Sequence, residues 1–92
     1  MTDIRVTPAA DPTYEVEVED EKGSARYVVS VTPAELDTYG GGVSPEALIE
    51  ESFRFLLERE PKEAILSRFG LSVIERYFPE YRKKIRERLG VG

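Results

Sequence analysis

Between Tyr14 and Glu19 apolar and charged side chains alternate without a break. Tyr14, Val16 and Val18 fall on one side, and Glu15, Glu17 and Glu19 on the other. That two-residue period belongs to a strand with one face in a core and one in water. Asp20-Glu21-Lys22-Gly23 carries turn chemistry, with Gly23 free to adopt positive φ, and Ala25 to Val31 reads as the returning strand. A four-residue connection sets Val18 opposite Ala25, Val16 opposite Tyr27 and Tyr14 opposite Val29. On the other face it sets Glu17 opposite Arg26. Apolar then meets apolar and charge meets opposite charge, which is how cross-strand pairs stabilise a sheet. Ile4 to Thr7 predicts a third strand, set off by a turn over Pro8–Pro12.

The period changes after Thr32-Pro33. A short turn or helical piece leads to Tyr39-Gly40-Gly41-Gly42, and Ser44-Pro45-Glu46 is a helix start: a capping hydroxyl, a first-turn proline and an acid at the positive end of the dipole. This helix is predicted to run to about Glu60, with Ile49, Phe53, Leu56 and Leu57 along its apolar stripe. Leu48 and Phe55 lie off the centre of the stripe, which predicts cover on two sides. Pro61 ends the helix and opens another carrying Ile65, Leu66 and Phe69, with Gly70 as its αL cap. Ser72-Val73-Ile74-Glu75 matches a capping box and starts a third helix, and Pro79 begins a last one through Ile85 and Leu89 to Gly90. The fold class is α+β: an N-terminal antiparallel hairpin or meander of two or three strands on a C-terminal cluster of three or four short helices. One domain is expected over residues 1–92, divided into a β-meander (1–32), a Gly-rich connector (33–44) and a helical part (45–90).

Composition narrows the chemistry. A chain of 92 residues buries only about 60–65% of its unfolded surface, so few side chains can be spared from the core. The sequence has no cysteine and no histidine, which excludes disulfides, thiolate nucleophiles, Cys/His zinc sites and triads that need an imidazole. No catalytic motif stands out, no cofactor or metal is expected, and a non-enzyme is the expectation. Asparagine, glutamine and tryptophan are absent too, and arginine outnumbers lysine nine to four. Both thermophilic origin and a GC-rich genome skew composition this way. MTDIRVTP lacks a basic stretch followed by an apolar run, and no apolar run approaches the roughly 20 residues of a membrane span. A cytoplasmic address without membrane contact is the expectation.

Charge is unevenly placed. Residues 1–58 hold four basic and thirteen acidic side chains, and residues 59–92 hold nine and five. Opposite faces of this kind suit complementarity within the fold, a charged partner, or self-association. Ala64–Tyr77 reads as helix-turn-helix-like, with Ser72 and Arg76 placed for base contacts and Arg82, Lys83, Lys84, Arg86 and Arg88 placed for phosphates. Glu75, Pro79 and the acidic chain as a whole oppose that reading. Gly40-Gly41-Gly42 lacks the Lys-Ser/Thr of a P-loop. Glu15, Glu17, Glu19, Asp20 and Glu21 lack calcium-loop spacing, and the adjacent Glu50 and Glu51 diverge on their helix. Tyr77, Phe78 and Tyr81 gather around Pro79 as a candidate partner surface; aromatic side chains that close a thin core give the same pattern.

The stretch SFRFLLEREPKEAILSRFGLSVIERYFPEY, Ser52–Tyr81, resembles small uncharacterised bacterial proteins that carry a FLLEREP…IL…F…I…YFPEY signature after an N-terminal hairpin. It covers about a third of the chain and implies a small bacterial domain with no activity to carry over. The order of hairpin then helices is also similar to small antitoxin proteins, in topology alone. The expected function is a non-catalytic protein-interaction or regulatory module that binds a protein partner or itself. The alternative is a nucleic-acid-binding regulator using residues 64–78 and the basic tail 82–88, and an enzyme ranks third.

Overall fold

The alternating segment is a strand, and its register is the one the turn dictates. The structure is a computed structural model and describes residues 1–91. β1 (Asp3–Pro8), β2 (Thr13–Asp20) and β3 (Gly23–Ser30) form an antiparallel meander. Val18 lies opposite Ala25, Val16 opposite Tyr27, Tyr14 opposite Val29 and Glu17 opposite Arg26. The turn closes with Asp20 paired to Gly23. Gly23 takes a φ of 133°, a value L side chains rarely adopt, and Lys22 donates its N–H to Asp20 Oδ1 at 2.8 Å. Val16, Val18, Tyr27 and Val29 are buried, and Tyr14 is half-buried beside them. The opposite face holds exposed ion pairs, Arg5 with Glu17 and Glu19, and Arg26 with Glu17.

Segment 33–44 is more built than a connector. Thr32 and Glu35 form a full capping box at α1 (Pro33–Glu35), and the chain continues into a π-helical turn, Leu36–Gly40. Tyr39 and Gly40 are buried. Gly41, at φ 58°, stops the turn and donates its N–H to the carbonyls of Leu36 and Asp37. α2 (Pro45–Leu57) begins as expected, with Ser44 Oγ accepting the N–H of Ala47 at 3.1 Å, and ends short of Glu60.

α2 is the middle layer of the molecule. On its sheet side Phe53 packs at 5.0 Å from the Tyr27 ring and 6.0 Å from Phe69. On its other side Phe55 packs at 5.3 Å from Tyr81 and 5.9 Å from Phe78. Leu48, Ile49, Phe53 and Phe55 are fully buried, so a helix apolar on two faces is explained by cover on both.

Two expectations fail after α2. The segment read as a second helix is a short 3₁₀ turn, Lys62–Ala64, followed by a fourth strand, β4 (Arg68–Gly70). β4 runs parallel to β3, with Val28 opposite Arg68, Val29 opposite Phe69 and Ser30 opposite Gly70. Val28 donates its N–H to Ser67 at 2.8 Å, and Leu71 donates to Ser30 at 3.0 Å. Without β4, the inner edge of β3 would leave these groups unpaired beside the core; tertiary pairing overrides local helix preference. The sheet therefore has four strands in the order β1-β2-β3-β4. Gly70 is no αL cap: it is extended, and a Cβ there would sit 3.3 Å from Ser30 Oγ. α3 (Val73–Tyr77) and α4 (Tyr81–Leu89) complete the fold, α4 covering α2 with Tyr81 and Ile85.

Candidate functional site

The helix-turn-helix reading does not survive the geometry. Its first helix is replaced by β4, and Ser72 makes no side-chain cap. The Ser72 N–H donates instead to Glu35 Oε2 at 2.9 Å. Glu75, the expected far end of that box, accepts the Tyr39 hydroxyl at 2.7 Å and pairs with Arg82 at 3.1 Å. Both partners stabilise its anion. Tyr39's hydrogen bond holds the Glu75 carboxyl below the usual carboxylate range, and Arg82 adds to it. Burial first, then Glu75, pushes Tyr39 up to about 12.

The basic tail is largely spent within the chain. Arg88 forms a fork with Glu58, at 3.0 and 2.6 Å, and reaches Glu51 at 3.4 Å. Arg86 donates to the Thr38 carbonyl at 2.8 Å, and Lys84 lies 3.9 Å from Glu87. Arg76 and Lys83 are exposed and enter no ion pair among the described residues. The charge split seen in sequence is thus spent in good part on helix-to-helix pairs.

Of the three aromatic side chains expected at a partner surface, Tyr81 is not at a surface. It is fully buried, its hydroxyl 2.6 Å from Ser52 Oγ, which donates to Leu48 O at 2.7 Å. Burial raises the Tyr81 phenol. α4 turns Tyr81 inward with Ile85, one helical turn on, to close the core over α2.

Tyr77 and Phe78 are brought together with residues that sequence reading left out. They line an apolar groove of about 360 Å³. Leu56 and Glu60 contribute to it from the end of α2, and Ile65, Leu66 and Phe69 from the chain leading through β4. Leu66 is 49% exposed and Tyr77 66% exposed. Past the 3₁₀ turn the chain bends at Ile65 and Ser67 before β4 begins at Arg68, which leaves Ile65 and Phe69 buried and Leu66 exposed, whereas a helix would have drawn all three onto one stripe. Leu66 was therefore invisible as a surface residue so long as its segment was read as helix.

A second feature without local signal is Lys62. Its side chain is 4% exposed, and Nζ reaches both Asp20 oxygens, at 2.9 and 3.0 Å, and Glu63 at 2.9 Å. The Lys62 carbonyl accepts the Tyr27 hydroxyl at 2.6 Å. Hydrogen bonding to Asp20 above all raises the ammonium, and the same bond lowers the Asp20 carboxyl. The tip of the β2–β3 hairpin is tied by this clamp to the chain after α2.

Among the described residues no three carboxylates gather as a metal would need, and no helix is long and apolar enough to cross a membrane. In comparisons with known proteins, no family model, no curated protein and no solved structure matches this chain.

Proposed function

We propose that the protein is a non-catalytic interaction module that receives a protein partner in the apolar groove beside α3. The reading rests on one observation: Leu66 and Tyr77, 49% and 66% exposed, flank a groove of about 360 Å³ floored by Ile65 and Phe69. Isolated exposed apolar side chains need no explanation, but a contiguous apolar hollow with an aromatic rim is a recognition feature. The alternative chemistry has less to work with. The carboxylates nearest the molecule's buried phenols are bound to cations or to helix starts, as Glu75 and Glu35 are. The residues of the Ser52–Tyr81 signature support the same reading, since Phe53, Phe55, Leu56, Ile65, Phe69 and Tyr81 are core. They hold the groove in shape rather than form a reactive centre.

The test is site-specific photo-cross-linking in the host cell, with the photoreactive side chain placed at Leu66, at Tyr77, or at Glu19 on the outer sheet face. Discrete protein adducts from positions 66 and 77, absent from position 19, are expected. Equal labelling from all three would overturn the proposal.

A further inference from the structure

One charged side chain lies in this groove and another stands next to its rim residue Tyr77 in sequence. Glu60 lines it half-buried, and Arg76 is exposed on α3 immediately before Tyr77; neither enters an ion pair among the described residues. Elsewhere Arg5, Arg54, Arg59, Arg82 and Arg88 hold carboxylates within 4 Å. The groove therefore offers an apolar hollow with one unanswered anion. The element bordering it offers a protruding aromatic side chain next to one unanswered cation.

We infer that the occupant of the groove is a second copy of this chain, related by a two-fold axis. Tyr77 of each copy enters the groove of the other, and Arg76 of each meets Glu60 of the other. A two-fold interface uses the same patch twice, so it must be self-complementary. A patch that carries its own hollow, its own plug, its own anion and its own cation satisfies that condition. The pairing also explains why the two charges sit where they do. Glu60 is half-covered beside apolar side chains and still open to an incoming cation. Association supplies the cation and removes Leu66 and Tyr77 from water in the same step. The small size of the patch places the dimer among weak, concentration-dependent associations. This inference rests on the groove's being an interaction site.

The experiment is sedimentation equilibrium on the purified full chain over a concentration series, with Glu60→Lys, Arg76→Glu and the two variants mixed. The wild-type chain is expected to approach twice the monomer mass as concentration rises. Either single variant places like charges at both contacts and is expected to weaken the dimer at least about tenfold. An equimolar mixture of Glu60→Lys with Arg76→Glu restores two opposite-charge contacts and is expected to recover the dimer, as a mixed species only. Arg76 is exposed and Glu60 half-buried, and unaltered circular dichroism shows that the monomers remain folded. A wild-type chain that stays monomeric throughout overturns the dimer; Leu66 and Tyr77 cross-links to a different protein would then leave the groove's interaction role standing. A dimer indifferent to both substitutions, as pairing along the open edge of β1 would give, also overturns it.

Discussion

Glu35 Oε2 accepts the backbone N–H of Ser72 at 2.9 Å, across 37 positions of sequence, while Oε1 accepts the N–H of Thr32 at 2.9 Å. One carboxylate thereby closes the start of its own helix and the start of α3. Burial alone would raise its pKa; the bonds from Thr32 and Ser72 outweigh burial and hold it below the usual range. The distant partner displaces the nearby one, because Glu75 is already taken by Tyr39 and Arg82.

Removing that carboxylate tests the arrangement. Glu35→Ala is expected to lower unfolding free energy by about 1–2 kcal/mol, the scale of a lost cap and a charged hydrogen bond. Ser72→Ala keeps the accepted N–H and is expected to cost no more than about 0.5 kcal/mol. Urea denaturation ranks the two, and the reverse order would mean that the Ser72 hydroxyl is the cap.

Acid sensitivity follows from the same groups. Asp20, held low by Lys62, Glu35, held low by Thr32 and Ser72 against its burial, and Glu75, held low by Tyr39, are all depressed in the fold. A depressed carboxylate contributes stability that is complete above its unfolded pKa and lost as pH falls through its folded one. Urea midpoints should hold steady down to about pH 5 and drop below about pH 4. Glu35→Gln should flatten part of that drop.

At the alkaline end the sign is opposite. Tyr39, pushed up to about 12 by burial and Glu75, and Tyr81, raised by burial, keep protons that the unfolded chain releases near pH 10. Their contribution is complete below about pH 10; that of Tyr39 is lost as pH rises through about 12, and that of Tyr81 higher still. Phenolate absorbance and helical circular dichroism should therefore change together in an alkaline titration. Tyr39→Phe should move the onset.

The two faces of α2 should prove equally costly to empty. Phe53→Ala opens the sheet side and Phe55→Ala the α4 side, each expected to lose about 3–5 kcal/mol. Tyr81→Phe removes only the hydroxyl facing Ser52 and is expected to lose about 1 kcal/mol. A Phe55→Ala variant as stable as wild type would mean that α4 does not cover α2.

What could be read in advance was what neighbours in sequence decide. The alternation over Tyr14–Glu19 and one glycine turn suffice to fix the Val16–Tyr27 and Glu17–Arg26 pairs, and Ser44-Pro45 suffices to start α2. The off-stripe positions of Leu48 and Phe55 announced a second covering layer. Residues 68–70 were illegible for the opposite reason: only the distant edge of β3 makes them a strand. The groove went with them, since the exposure of Leu66 depends on the chain not continuing as a helix into β4. Aromatic character marked Tyr77, which is exposed, but could not tell it from Phe78, half-buried against Phe55, or from Tyr81, fully buried on α4.

The parallel pairing of β3 with β4 has a consequence for how the molecule is made. The meander emerges from the ribosome before β4, so the inner border of β3 stays bare until Arg68–Gly70 has been synthesised. During that interval Val28, Val29 and Ser30 present a sticky, unsatisfied ribbon to every other nascent chain nearby. Vectorial synthesis thus makes a three-residue strand three-quarters of the way along this sequence the guard of its first third.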